Sequence, residues 1–244
     1  MVAGRIVDEL ILRSKRDDTI RDYYDIAIVG YSDGEVYSLL GDHFGFDSVV
    51  QLNKRVVPHT SYLLSHRTLN GVKNLYEDVS LWVKPRAEGD TPMYKMITRV
   101  SEMVEAWCNE EAHRESFPPI VFNITDGEAS DGNEEMLRRA AHRLKQISTN
   151  DGNTLFVNIH ISSNTLHPPL IFPTERELLL TDRYAQLLKE ISSVMPGQFL
   201  SHVMECRNEN FGNCDTAYYA MSYNSSITEI IAMLTIGTRS AGAR

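Results

Sequence analysis

The sequence predicts an α/β fold with a mostly parallel central sheet flanked by helices on both faces. Three observations carry this prediction. Short apolar runs bounded by polar residues alternate along the chain with longer segments whose apolar residues recur at helical spacing. Short turns join many of these segments, as parallel strands covered by helices require. With 42% hydrophobic and 23% charged residues, the composition is that of a globular protein rather than a disordered one. A length of 244 residues fits one domain spanning 1–244, and neither an internal repeat nor a low-complexity segment interrupts it.

In chain order, Val2, Ala3, Ile6, Val7, Leu10 and Ile11 fall at helical spacing and predict a first helix. Residues 25–31 read as a buried strand, Asp33-Gly34 as a tight turn, and residues 35–39 as the returning partner. Between 41 and 80, Gly41, Gly45, Pro58 and several histidines break any period. That segment reads as a long insertion or loop, with a short strand at 79–83. A second helix follows on Met93, Met96, Ile97, Val100, Met103, Val104 and Trp107, with Thr91 as its cap and Pro92 as its first residue. Residues 120–124 are the most strand-like run and are expected at the centre of the sheet. Beyond them lie a helix on Met136, Leu137, Ala140, Ala141, Leu144 and Ile147, a strand at 155–161, and a helix on Tyr184, Leu187, Leu188, Ile191 and Val194. A last helix, apolar nearly all round, is expected from about Ser225 to Ile236.

Composition narrows the function classes. A formal charge of −9 disfavours a polyanionic partner such as nucleic acid, and the basic residues of 13–16 and 138–145 lie on predicted helices as solvated charge. Three cysteines without a CxxC pair argue against a disulfide framework and a zinc knuckle, and point to a reducing, cytoplasmic compartment. No apolar run approaches the ~20 residues of a membrane span.

Ligands of such folds bind beyond the carboxyl ends of the strands. Two loops there offer oxygen atoms: Gly89-Asp90-Thr91-Pro92, before the second helix, and Thr125-Asp126-Gly127-Glu128, after the presumed central strand. Each has a plain alternative, since Thr91 can serve as a helix cap and Asp126 can satisfy backbone amides of its turn. A calcium loop starting at Asp126 is rejected, because the glycine falls one position late and Leu137 stands where glutamate is required. His160, His167, Cys206 and Cys214 fit no standard zinc spacing. Asp126 with Glu128 lacks a nearby nucleophile or phosphate-binding glycine loop, and the chain contains no Gly-x-Gly-x-x-Gly, Walker or Gly-x-Ser-x-Gly motif.

Four segments in order over nearly the whole chain resemble the von Willebrand factor A (vWA) family, in its compact bacterial cytoplasmic form. They are Gly89-Asp-Thr-Pro-Met93, Ile124-Thr-Asp-Gly-Glu-Ala-Ser-Asp-Gly132, Thr149-Asn-Asp-Gly-Asn153 and Leu234-Thr-Ile-Gly-Thr-Arg239. The resemblance implies a three-layer, Rossmann-like fold and a protein-binding role rather than an enzymatic one. It also implies a metal-ion-dependent adhesion site, in which Mg²⁺ is held by an Asp-x-Ser-x-Ser loop, a threonine and an aspartate. Thr91 and Asp126 match the second and third elements. The Asp-x-Ser-x-Ser loop has no counterpart here, so the Mg²⁺ ligand set is incomplete. The helical pattern already running at Val2 leads to the expectation that the family's first strand and its loop precede Met1, or that this is a degenerate member. In the family that strand lies between the strands at 25–31 and 120–124.

By the same resemblance, the partner is another protein whose acidic side chain completes the metal shell, with Ser32, Asp33, Asp90, Glu128 and Ser130 on the contact surface. A bacterial signalling or stress-response system is the implied setting. A metal-independent structural scaffold is the alternative, and a hydrolase is the least favoured reading.

Overall fold

The computed structural model describes residues 2–68, 71–84, 89–161, 169–178, 181–209 and 216–225, together with Met233 and Ile236. The chain forms two compact units. The first contains Met1–Gly30 and Tyr37–Ala87, and the second contains Tyr31–Val36 and Glu88–Arg244.

In the first unit, helix α1 (Val2–Ser14) follows the predicted periodicity, with Val7 fully buried. Val7, Leu40 and Leu52 make a small core, against which Ile11, Ile26, Ile28, Trp82 and Val83 pack. Trp82 donates its indole N–H to Asp8 at 2.7 Å, so the polar atom of a half-buried aromatic is satisfied. The segment at 25–31 is less regular than expected. Asp25–Ile26 pairs antiparallel with Asp47–Ser48, and strand β1 begins only at Val29–Ser32. Helix α2 (Val49–Asn53) starts at a capping box in which Ser48 and Gln51 satisfy each other's backbone amides.

The expected loop between 41 and 80 is corrected here. His59–Thr68 (β3) and Gly71–Ser80 (β4) form a long antiparallel ribbon in register from His59↔Ser80 to Thr68↔Gly71. Mixed polar and apolar residues run along both strands without a clean two-residue alternation. Cross-strand hydrogen bonding, which periodicity does not reveal, defines the ribbon.

Val29–Ser32 (β1) and Glu35–Ser38 (β2) form the hairpin read from the sequence. Its two turn residues, Asp33 and Gly34, have φ of 51° and 70°. This is the left-handed pair demanded by the turn that matches the twist of a β-hairpin.

The second unit is a mixed α/β structure, with a four-stranded, mostly parallel sheet packed against helices. The strands are Ile120–Thr125 (β5), Leu155–Ile161 (β6), Leu170–Ile171 (β7) and Met221–Ser225 (β8), in the order β7-β8-β6-β5. β6 runs parallel to both β5 and β8, β7 runs antiparallel to β8, and the described strands do not close into a barrel. Helices α3 (Met93–Asn109), α4 (Glu134–Gln146), α5 (Glu175–Leu178), α6 (Arg183–Ile191) and α7 (Leu200–Arg207) belong to the same unit. α4 buries Leu137, Ala141 and Leu144 and leaves Met136 exposed. α6 buries Tyr184, Leu187, Leu188 and Ile191, as its spacing predicts, but it ends at Ile191, and Val194, expected on the same face, lies beyond it and is exposed.

Three expectations are corrected in this unit. Residues 120–124 are not central: among the described residues β5 is an edge strand, whereas β6 and β8 each lie between two partners. The difference is in burial. Leu155–Ile159 are all buried, while most of β5 is half-buried, and only a strand covered on both faces and flanked on both edges is so enclosed. Strand β8 and helix α7 were not foreseen. Ser225, taken as a helix start, instead ends β8. The expected final helix lies mostly outside the described residues, although Met233 and Ile236 are helical and buried. No helix among the described residues is long and apolar enough to cross a membrane.

Candidate functional site

Parallel pairing brings the carboxyl ends of β5, β6 and β8 to one end of the sheet, with His160 opposite Thr125 and Ser225 opposite Ile161. Backbone polar groups and loop side chains converge at such an end, which makes it the ligand-binding end of an open α/β sheet. Directly after β5, the Thr125 hydroxyl donates to the Gly127 carbonyl at 2.9 Å and accepts from the Gly127 amide at 3.2 Å. The turn this closes leaves Asp126 and Glu128 exposed.

Three loops far apart in sequence meet here. The Asp33 amide donates to the Asp90 carbonyl at 3.0 Å, and the Ser130 amide donates to the Thr91 carbonyl at 3.0 Å. The Thr91 hydroxyl lies 3.5 Å from where a β-carbon on Gly127 would stand, so Thr91 and the Asp126 turn are neighbours. Gly89 has φ of 70°, and a side chain on it would approach the Asp33 carboxylate to 2.8 Å. Glycine is therefore required where the hairpin tip crosses the loop. Asp33, Asp90, Asp126, Glu128 and Ser130 are all exposed on this rim. Ser32, expected on the contact surface, is buried. The two-residue turn points its neighbour inward, and only Asp33 and Gly34 reach the tip.

The start of α3 also departs from expectation. Pro92 occupies the cap position without a side-chain cap hydrogen bond, so the Thr91 hydroxyl does not cap the helix. Asp131 does this work from another loop, its two carboxylate oxygens accepting from the amides of Tyr94 at 2.9 Å and Lys95 at 2.8 Å. A carboxylate at the positive end of a helix satisfies two otherwise orphaned donors. Lys95 then donates its ammonium to the Gly34 carbonyl at 2.9 Å, tying the hairpin tip to the same helix turn. Asp131 stands 37 residues from Tyr94 in sequence, beyond the reach of any capping rule.

Behind the rim sits an aromatic group absent from the sequence reading. The ring of His160 stacks on Tyr223, with centroids 4.5 Å apart, and meets Tyr184 edge-on at 5.6 Å. Tyr184 donates its hydroxyl to the Gly127 carbonyl, and Tyr223 donates to Asp182, which also caps α6 through the Ala185 amide. Burial pushes the His160 imidazole below its ordinary range, against the opposing pull of Asp182 and Asp126. Its Nδ1 is buried without a hydrogen-bond partner among the described residues. The Tyr31 hydroxyl, at the base of the tip, donates to Asn123 at 2.6 Å, and burial pushes it up to about 12.

The donor set does not fit a tightly held Mg²⁺. The ion takes six oxygens in a near-ideal octahedron. The resemblance drawn from the sequence names one hydroxyl, Thr91, and one carboxylate, Asp126, for such an ion. Among the described residues no three His, Cys, Asp or Glu side chains are grouped to hold a metal. No protein-family model matches the chain, and neither a curated protein nor a solved structure is detectably similar to it.

Proposed function

We propose that the chain is a vWA-type, three-layer domain that recognises another protein through the rim at the carboxyl ends of its parallel strands, and that it has no catalytic activity. The observation that supports this most is the convergence of the 32–34, 89–91 and 126–131 segments, each anchored to the next by a backbone hydrogen bond or a helix cap. Loops held by a rigid scaffold at this end of a sheet give a preorganised contact surface, which lowers the ordering cost of binding. The exposed side chains at its face are Asp33, Asp90, Asp126, Glu128 and Ser130. Thr91 and Asp126 are the residues that would share in holding a metal, with a partner's carboxylate among the remaining ligands. The sequence carries no Asp-x-Ser-x-Ser segment, which favours as the second reading a metal-independent scaffold subunit.

The experiment is affinity capture from the source cells, followed by titration of the purified partner. Asp126→Ala and Asp33→Lys are expected to weaken binding at least about ten-fold, the scale of a lost charge-assisted contact at an interface. Arg139→Ala, on the exposed face of α4, is the unaffected control. Repeating the titration with Mg²⁺ and with chelator separates the metal-assisted reading from the scaffold reading. Phosphatase or ATPase turnover that disappears in Asp126→Ala would replace the binding proposal with an enzymatic one.

A further inference from the structure

A continuous file of side-chain hydrogen bonds crosses the interior of the second unit. The Tyr31 hydroxyl donates to Asn123 Oδ1 at 2.6 Å, and Asn123 Nδ2 donates to Asn158 Oδ1 at 2.9 Å. Asn158 Nδ2 donates to Ser192 Oγ at 3.0 Å, and Ser192 Oγ donates to the Leu188 carbonyl at 2.6 Å. Asn123, Asn158 and Ser192 are each at most 3% exposed. Buried amides among parallel strands are costly unless every donor and acceptor is matched.

The direction of the file is set at its far end. Ser192 has one hydroxyl proton, and the last turn of α6 takes it through Leu188. Ser192 Oγ can then only accept from Asn158, which turns the Asn158 oxygen toward Asn123 and the Asn123 oxygen toward Tyr31. The Tyr31 hydroxyl must therefore donate to Asn123 Oδ1, the nearer of its two acceptors, the Ile124 carbonyl lying at 3.3 Å. The residue after Tyr31 in the hairpin is the buried Ser32, and the next is Asp33 at the rim.

We infer that this file is a positioning device: Asn123, Asn158 and Ser192 fix the Tyr31 side chain, and through it the height and angle of the Asp33-Gly34 tip on the rim. The inference rests on the reading of that rim as the contact surface for its functional meaning. It makes the end of α6 part of the machinery that shapes a surface built elsewhere from hairpin and loops. A change at Ser192, which does not lie on the rim, would alter recognition there.

The test is amide hydrogen exchange resolved by residue, which needs neither partner nor metal and so fails or succeeds independently of the proposed function. The reporter is the Asp33 amide, bonded to the Asp90 carbonyl. Tyr31→Phe and Ser192→Ala are expected to raise its exchange rate about ten-fold, the scale of one unmatched buried hydrogen bond. Amides of α4, normalised to each variant's global stability in urea, should not follow. Ser192→Thr keeps the hydroxyl and should restore the wild-type rate. Asn158→Leu is the harsher variant, and the two mild ones carry the test if it does not fold. An unchanged Asp33 amide in both Tyr31→Phe and Ser192→Ala, or a rise shared equally by α4, would overturn the inference.

Discussion

Asp131 shows how one side chain can serve both a helix and a loop. Its carboxylate closes the first turn of α3 while its backbone belongs to the segment that follows Asp126. Asp131→Ala is expected to cost about 1–2 kcal/mol, the usual range for a lost cap, measured as a lower urea midpoint at unchanged m-value. Asp131→Asn, which keeps one acceptor, should lose less. His160 makes a prediction in pH. Because burial holds its folded-state value below the unfolded value of about 6.5, the unfolded chain takes up a proton first as pH falls. Its neutral packing is thus fully stabilising above that pH and loses ground below it. His160→Phe, which preserves a ring against Tyr223 and Tyr184, should flatten the stability curve between pH 7 and pH 5. An identical slope in wild type and variant would show that the imidazole is not the titrating group.

Among the elements, the turn of the hairpin β1–β2 was legible, since Asp33-Gly34 between short apolar runs specifies it locally, but the extent of its first strand was not, because residues 25–26 pair elsewhere. α3, α4 and α6 were legible for a similar reason: a stripe of apolar residues at helical spacing leaves one way to bury it. The ribbon β3–β4 was not, because neither strand carries the alternation that marks one buried face. Nor was the rank of β5 against β6. Both are short apolar runs, and which one is enclosed on both edges depends on partners distant in sequence. The loop before α3 has its own prediction. Gly89→Ala must place a β-carbon at a positive φ and against Asp33, and should destabilise the second unit by at least about 1 kcal/mol in chemical denaturation. Loss of protection at the Asp33 amide should accompany it.

At the scale of the whole molecule, the two-ligand corner of Thr91 and Asp126 makes a thermal prediction. A ligand that binds only the folded chain raises stability by RT ln(1 + [L]/Kd), so a weakly held ion adds little at concentrations below its Kd. Adding Mg²⁺ to about 1 mM should shift the melting temperature by less than about 1 °C. A rise of several degrees, abolished by Asp126→Ala, would show that the site is complete and that the count of its ligands is wrong.

The sequence alone determined the α/β alternation, the amphipathic helices, the hairpin turn and the two oxygen-bearing loops, because spacing, turn chemistry and helix propensity act over a few residues. Tertiary structure alone decided which strand is enclosed, that Asp131 caps α3, that Ser32 is buried while Asp33 is presented, and that Tyr31, Asn123, Asn158 and Ser192 form one file. Those features are pairings between groups tens of residues apart. A hydrogen bond or a buried contact is specified by both partners at once, and neither partner's local sequence names the other.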